Sequence, residues 1–405
     1  MDGRFDLVIV GAGIIGLATA RETLRRSPRA RLLVIEKEPE IARHQTGHNS
    51  GVVHSGIYYR SGSLKATTCV EGAAEMLAFC RQEGIPCEPC GKVVVAADRA
   101  EVPALDELHR GGVANGVPGL SLIGPERLRE IEPAARGVRA LHVPGTAVTD
   151  YRRVALRLAE RAGAAGARIL TAARVTGFAR SSPDIVVETT AGAYATRHVI
   201  NCAGLHADRV AALAGARPGV RIVPFRGEYH EIAAERRHLV RALIYPVPRP
   251  ELPFLGVHLS RTINGEVEAG PNALWALARE GYRRSDANLR DIIGTLSYPG
   301  FWMLASKHWR YGVGELYRSK SRRAFLRALQ RLVPDLRAED LRLGGSGVRA
   351  QAVDRTGALV DDFTFEASER MIHVLNVPSP AATASLAIAR RIVDMLGLPA
   401  RGERE

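Results

Sequence analysis

The sequence predicts an α/β protein (α+β overall), with one parallel-sheet domain assembled from separated segments and a second domain built on a mixed β-sheet. Three observations predict it. A short β-branched run at 6–10 (DLVIV) leads into Gly11-Ala12-Gly13-Ile14-Ile15-Gly16, an amphipathic helical segment to about 26, and a second apolar run at 31–35. That is the order of a βαβ unit, whose strands are covered on both faces and so read as continuous apolar runs. Two further apolar runs, at 197–202 and 373–376, each enter a turn of small residues and return the chain to the same sheet. Finally, the texture changes across 91–147 and 216–342, where strands alternate with basic and aromatic stretches. A chain of 405 residues is too long for one compact core. We therefore assign 1–90, 148–215 and 343–405 to the first domain, and 91–147 and 216–342 to the second.

Each residue of the opening unit has a task. Gly11 permits the tight turn, Gly13 lets backbone approach a pyrophosphate, and Gly16 allows helix to pack closely on strand, with the helix N-terminus facing the phosphates. Glu36 closes the second run, where a carboxylate accepts from ribose hydroxyls and disfavours a 2′-phosphate. This is a Rossmann-like dinucleotide site for FAD or NAD. FAD is favoured by the run 197–202 ending at Ala203-Gly204, and by the passage from 373–376 through Val377-Pro378-Ser379-Pro380-Ala381-Ala382-Thr383. The latter reads as strand, rigid turn and new helix, whose first N–H groups can stabilise charge on a reduced flavin.

Composition is that of an ordinary soluble protein, with 46% hydrophobic and 24% charged residues. The net charge is +13, and with only five lysines Arg supplies 51 of the 56 basic residues. Such a field attracts anionic substrates or an anionic membrane, but no nucleic-acid module is present. No apolar run approaches the roughly 20 residues that span a bilayer, and no secretory signal is found, so a cytoplasmic location is expected. The five cysteines suit a reducing compartment. Cys87 and Cys90 have CxxC spacing without a second pair, which does not make a zinc site.

The stretch "HQTGHNSGVVHSGIYY" at 44–59 holds three histidines. His44 and His48 have the spacing of a helical metal pair, but Gly47, Asn49, Ser50 and Gly51 are poor helix formers, so no metal is expected. The glycines instead let backbone approach a flavin, with Thr46, Asn49 and Ser50 offering hydrogen bonds. His44 and His48 fall on the cofactor side and His54 reaches the substrate side. Cofactor contacts are expected from Gly11, Gly13, Ile14, Ile15, Gly16, Glu36, Lys37, Thr46, His48, Asn49, Ser50, Gly51, Val52, Ala203, Gly204, Pro380, Ala381, Ala382 and Thr383.

Taken in order, the glycine motif, Glu36-Lys37, the stretch at 44–59, "GSLKA" (62–66), "PFRGEY" (224–229), "IYPVP" (244–248), "PFLGVH" (253–258), "GPNA" (270–273), "REGYR" (279–283), "GVRAQA" (347–352) and "PSPAAT" (378–383) resemble the L-2-hydroxyglutarate oxidase/dehydrogenase family. That family is a branch of the FAD-dependent, D-amino-acid oxidase-like superfamily. The resemblance covers nearly the whole chain. It implies FAD-dependent oxidation of L-2-hydroxyglutarate to 2-oxoglutarate, with electrons passed to oxygen or a membrane quinone. An amine or amino-acid oxidase on the same scaffold is the alternative. Asn376-Val377-Pro378 and Leu274-Trp275-Ala276 depart from the family pattern.

Such a reaction needs a base for the hydroxyl proton and cations for the carboxylates. His54 is the first candidate base and His258, in "FLGVHLS", the second. Arg226 and Arg349, each flanked by small or apolar residues, suit bidentate carboxylate contacts, with Lys65 and the Tyr59 hydroxyl beside them. The basic region 288–333, which carries Trp302, Trp309, Tyr311 and Tyr317, reads either as a helical cover or as a peripheral membrane contact at the inner face of the cell membrane.

Overall fold

The computed structural model describes residues 4–181, 183–248 and 255–397. Its first sheet carries five parallel strands, in the order Arg168–Leu170, Leu32–Ile35, Arg4–Val10, Gly192–Asn201 and Met371–Asn376. The antiparallel strands Val175–Ser181 and Asp184–Thr189 extend the early half of Gly192–Asn201, and Met371–Asn376 takes over the same edge at Val199. Alternation explains why 7–10 is apolar throughout. Leu7 and Ile9 face helices Ile14–Arg26, Tyr151–Ala164 and Ser385–Met395, while Val8 and Val10 face Val187, Tyr194 and Val210. Buried on both faces, such a strand has no position for a polar side chain.

The second sheet runs in the order Leu274–Trp275, Val220–Ile232, Val267–Gly270, His258–Arg261, Leu243–Pro246, Lys92–Ala96, Arg139–Val143 and Ser121–Ile123. Within the segment 216–342, His258–Arg261 and Val267–Gly270 form a hairpin, and Pro253 and Phe254 of the quoted block lie outside the described residues. A small sheet of Val52–Val53, Ala147–Thr149 and Cys87–Pro89 joins the parts.

One boundary differs from expectation. The strand Leu341–Asp354 pairs antiparallel with Val220–Ile232 along its whole length, from Val220 opposite Asp354 to Ile232 opposite Leu341. Residues 343–354 thus belong to the second sheet. Their glycines and charges suit a half-exposed antiparallel strand rather than one covered on both faces. The expected tail beyond 397 lies outside the described residues.

Region 288–333 forms helices Leu289–Leu296, Pro299–Lys320 and Arg322–Gln330, the second kinked at His308. Phe325 and Leu329 close the core of the second sheet against Ile232 and Leu259. Among the described residues no helix is long and apolar enough to cross a membrane.

Candidate active site

A cavity of about 1050 Å³ runs from the glycine loop to the second sheet, large for a small metabolite alone and suited to a nucleotide cofactor with a substrate beside it. At its first end, Gly11 has φ +106°, and a Cβ there would lie 2.5 Å from the Cys202 carbonyl oxygen. A Cβ on Gly16 would lie 2.0 Å from the Gly11 carbonyl oxygen, so Gly16 serves close packing and is not on the cavity wall. Gly13 is on that wall, and its nearest neighbour would be Thr46 Oγ1 at 3.4 Å, leaving an open cradle at the helix start. The Ile14 N–H donates to Thr46 Oγ1 at 3.0 Å. The hydroxyl therefore caps the helix from the loop at 44–51.

Glu36 is buried, and one oxygen accepts from the Ala12 N–H at 2.8 Å, the other from the Glu38 N–H at 3.0 Å. Each oxygen keeps a lone pair for a ribose hydroxyl. Beyond it the wall continues through Ala173, Arg174 and Val175, which sequence reasoning did not single out. Their backbone is held by the Ala173 N–H on the Glu36 carbonyl. The open cradle, the helix N-terminus and the buried carboxylate fit a dinucleotide such as FAD.

Lys37, Glu38, His44 and Glu280 form a network above this end. The Lys37 ammonium contacts both carboxylates and His44, and His44 Nδ1 lies 3.0 Å from the Tyr282 hydroxyl. Glu38, His44 and Glu280 are close enough to hold a metal ion, but the ammonium already occupies their centre. Against the effect of burial, His206 and Lys37 hold the Glu280 carboxyl well below its usual range. His48 stacks on Tyr282 at 4.2 Å.

The loop at 44–51 is tied to the second domain. Gln45 Oε1 accepts from the Ala350 N–H at 3.0 Å, and a Cβ on Gly347 would meet the His48 carbonyl oxygen at 2.6 Å. Asn49, expected to offer hydrogen bonds to a cofactor, spends its amide on the Gln45 and Thr46 carbonyls and its carbonyl on the Gly51 N–H. Gly51 sits off the wall, with a Cβ meeting the Thr149 carbonyl oxygen at 2.6 Å. Ile14, Ile15, Lys37, Ser50, Val52, Ala203 and Gly204 line the cavity.

The turn 377–384 precedes helix Ser385–Met395 and lines the middle of the cavity with Pro380, Ala381, Ala382 and Thr383. Thr383 is fully buried. Its hydroxyl accepts from the His54 N–H at 3.0 Å and lies 2.9 Å from the Tyr151 hydroxyl. His54 is thereby fixed to the turn, with Nε2 3.3 Å from Ser379 Oγ and Nδ1 buried without a hydrogen-bond partner among the described residues.

His258 enters from the second sheet. Its Nδ1 lies 2.9 Å from the Gly256 carbonyl, which can only accept, so Nδ1 carries the proton and Nε2 the lone pair. The ring stacks on Tyr245 at 3.8 Å. Burial, with the Lys92 ammonium and His258 nearby, lowers His54 to about 3. Burial likewise lowers His258 to about 4, with Arg349 and Lys92 adding to it. Both imidazoles are neutral at physiological pH.

The cations divide. Arg349 lines the cavity and donates to the Asn272 carbonyl at 3.2 Å. Lys65 lines it too, pairing with Asp361 at 2.9 Å and lying over the Tyr59 ring. Arg226 does not reach it. On the strand Val220–Ile232, Gly227 and Tyr229 face the cavity, and strand alternation turns Arg226 and Glu228 the other way. Arg226 instead donates to Glu228 and to the Arg283 carbonyl, and is not a substrate ligand. Tyr229, whose hydroxyl burial raises to about 12, and Tyr245 stand in the wall although the sequence reading did not select them. The signal available was the two-residue spacing of Tyr229 from Gly227 and the place of Tyr245 in "IYPVP".

Residues 6–395 match the model of the family described as FAD dependent oxidoreductase. The chain is 48% identical over 391 residues to the L-2-hydroxyglutarate dehydrogenase of Indibacter alkaliphilus, covering 96% of this chain and 98% of that one. It is 45% identical over 407 residues to the mitochondrial L-2-hydroxyglutarate dehydrogenase of Homo sapiens, covering 96% and 88%. Among solved structures, an FAD-bound L-α-glycerophosphate oxidase from Mycoplasma pneumoniae superposes with TM-score 0.81 at 22% identity, covering 99% of this chain and 97% of that one. A glycine oxidase from Geobacillus kaustophilus gives 0.73 at 19%, covering 98% and 96%.

Proposed function

Because the chain belongs to the FAD dependent oxidoreductase family, we propose that it oxidises L-2-hydroxyglutarate to 2-oxoglutarate. The observation that carries this reading is a cationic, histidine-lined end on a cavity that begins at a dinucleotide cradle. Arg349, His54 and His258 share the wall that Gly13 and Glu36 open. The relatives named for L-2-hydroxyglutarate support the same substrate.

FAD, which Gly13, Glu36 and the turn 377–384 would hold, would supply the hydride acceptor for C2. Arg349, seated by Gly227 and Asn272, holds one substrate carboxylate, and Lys65 with the Tyr59 hydroxyl serves the other. His258 Nε2 takes the hydroxyl proton as the C2–O bond becomes a carbonyl, its tautomer set by Gly256. His54, held by Thr383 and with Nε2 at Ser379 Oγ, orients the hydroxyl. Electrons leave to oxygen or to a membrane quinone.

The helical region supports peripheral contact with an anionic membrane. Leu289 (72% exposed), Ile293, Trp302, Trp309, Val313 and Tyr317 are exposed large apolar residues on two consecutive helices, interspersed with Arg290, Lys307 and Arg310.

The deciding experiment reduces purified holoenzyme anaerobically with a panel of 2-hydroxy and 2-amino acids while the flavin's visible band is followed. L-2-hydroxyglutarate is expected to bleach it fastest. Bleaching by an amino acid but not by L-2-hydroxyglutarate overturns the assignment.

A further inference from the structure

Lys92 opens the strand Lys92–Ala96 in the middle of the second sheet and is 2% exposed. Its ammonium has no hydrogen-bond partner among the described residues. It is boxed instead by aromatic faces, 4.6 Å from the Tyr58 ring centroid and 5.1 Å from that of Tyr245. Both tyrosines line the cavity, and Lys92 does not. The other face of this layer is the active site, because the Tyr245 ring stacks on His258. Lysine, aromatic ring and imidazole therefore stand in sequence from core to cavity. A buried lysine without a carboxylate or carbonyl is expensive as structure alone, since its charge is desolvated and unpaired.

We propose that Lys92 is a positioning residue of this reaction: from behind Tyr245 and Tyr58 its ammonium sets a positive potential across His258 and His54 that draws the dianionic substrate to Arg349. The inference rests on the proposed function for the role of the two imidazoles. The groups that face them are few. Lys92 acts on both, Arg349 acts on His258, His258 acts on His54, and Cys69 donates to the His54 carbonyl. Around Lys92 itself stand Cys69, Cys90, Tyr58 and Tyr245, and burial lowers its own proton affinity to about 7. A positive potential in a water-poor site reaches several ångströms with little screening.

The test compares Lys92→Met and Lys92→Arg holoenzymes with wild type. Two readouts are used: imidazole titration by NMR of histidine-labelled protein without substrate, and the pH profile of kcat/KM. In Lys92→Met, the His258 and His54 titrations and the acid limb are expected to move up by about one pH unit, and KM for L-2-hydroxyglutarate to rise. Lys92→Arg is expected to keep wild-type positions. Unmoved titrations in Lys92→Met overturn the proposal. Should neither variant fold, wild type decides: an inflection of the His258 resonances as Lys92 titrates near pH 7 supports it, and a flat response there overturns it. Wild type that fails to turn over L-2-hydroxyglutarate refutes the substrate assignment, while the NMR titration still judges Lys92.

Discussion

Gly227 and Arg349 occupy adjacent strands, and the space a Gly227 side chain would fill is taken by the Arg349 guanidinium: a Cβ there would lie 3.1 Å from Nη2 and 3.2 Å from Nη1. The same Cβ would come within 2.7 Å of the Pro271 ring, so it has no side to which it can yield. The glycine is what admits the cation to the cavity.

Gly227→Ala is therefore expected to displace Arg349 and raise KM for L-2-hydroxyglutarate about tenfold, with the flavin content unchanged. Arg349→Ala removes the charge-assisted hydrogen bonds outright and is expected to lower kcat/KM by roughly 100-fold. Steady-state kinetics beside the visible spectrum check both. An Arg349→Ala enzyme with unaltered KM would remove Arg349 from the substrate site.

His258→Asn is expected to slow flavin reduction by roughly 100-fold or more, since a positioned base contributes about that much. His54→Asn should slow it less. With His258 lowered from 6.5 to about 4, the base is competent above that value, so the acid limb of kcat/KM lies below pH 6.5. Stopped-flow reduction across pH measures both. An acid limb at or above 6.5 would contradict a buried neutral base.

Glu36→Ala leaves the Ala12 and Glu38 N–H groups without their acceptor and removes the ribose partner. Unsatisfied buried donors cost about 1–3 kcal/mol each. The purified protein should lose most of its FAD, read as the ratio of flavin to protein absorbance. Full FAD content would show that Glu36 serves only the loop.

Glu268 lies directly opposite Glu231 across two antiparallel strands. Burial, then Glu231 and Glu266, raise its carboxyl from 4.5 to about 7. A folded value above the unfolded one means that this group's stabilisation is complete below pH 4.5 and lost as pH rises through about 7. Glu268→Gln removes the repulsion, so Tm should rise by roughly 2–4 °C at pH 8 and not at pH 4.5. Thermal unfolding at both values decides.

The exposed helical face predicts sedimentation with anionic liposomes at low salt, release as salt screens the contact, and loss in a Trp302→Ser/Trp309→Ser double variant. Wild type that stays in the supernatant at low salt ends the membrane reading.

The nucleotide half of the site was legible because its chemistry is local. Turn, phosphate cradle, helix start and acid follow one another within 36 residues, and each depends on backbone geometry that glycine or a strand end dictates. The histidines were legible as residue types suited to the reaction. What distinguished them was not, since His258's tautomer comes from Gly256 and its neutrality from burial.

Arg226 and Lys92 mark where local reading ends. Arg226 looked like Arg349 in its flanking residues, yet strand alternation turned it to Glu228. Lys92 sat unremarked in "KVVVA", and only the approach of Tyr58 and Tyr245 from other segments makes its charge matter. By itself the sequence determined the fold class, the cofactor cradle and the kind of chemistry, because these rest on periodicity and short-range turns. The tertiary structure decided which cations face the cavity and which bases stay neutral. Orientation and desolvation belong to the sheet and its neighbours, not to any one stretch of chain.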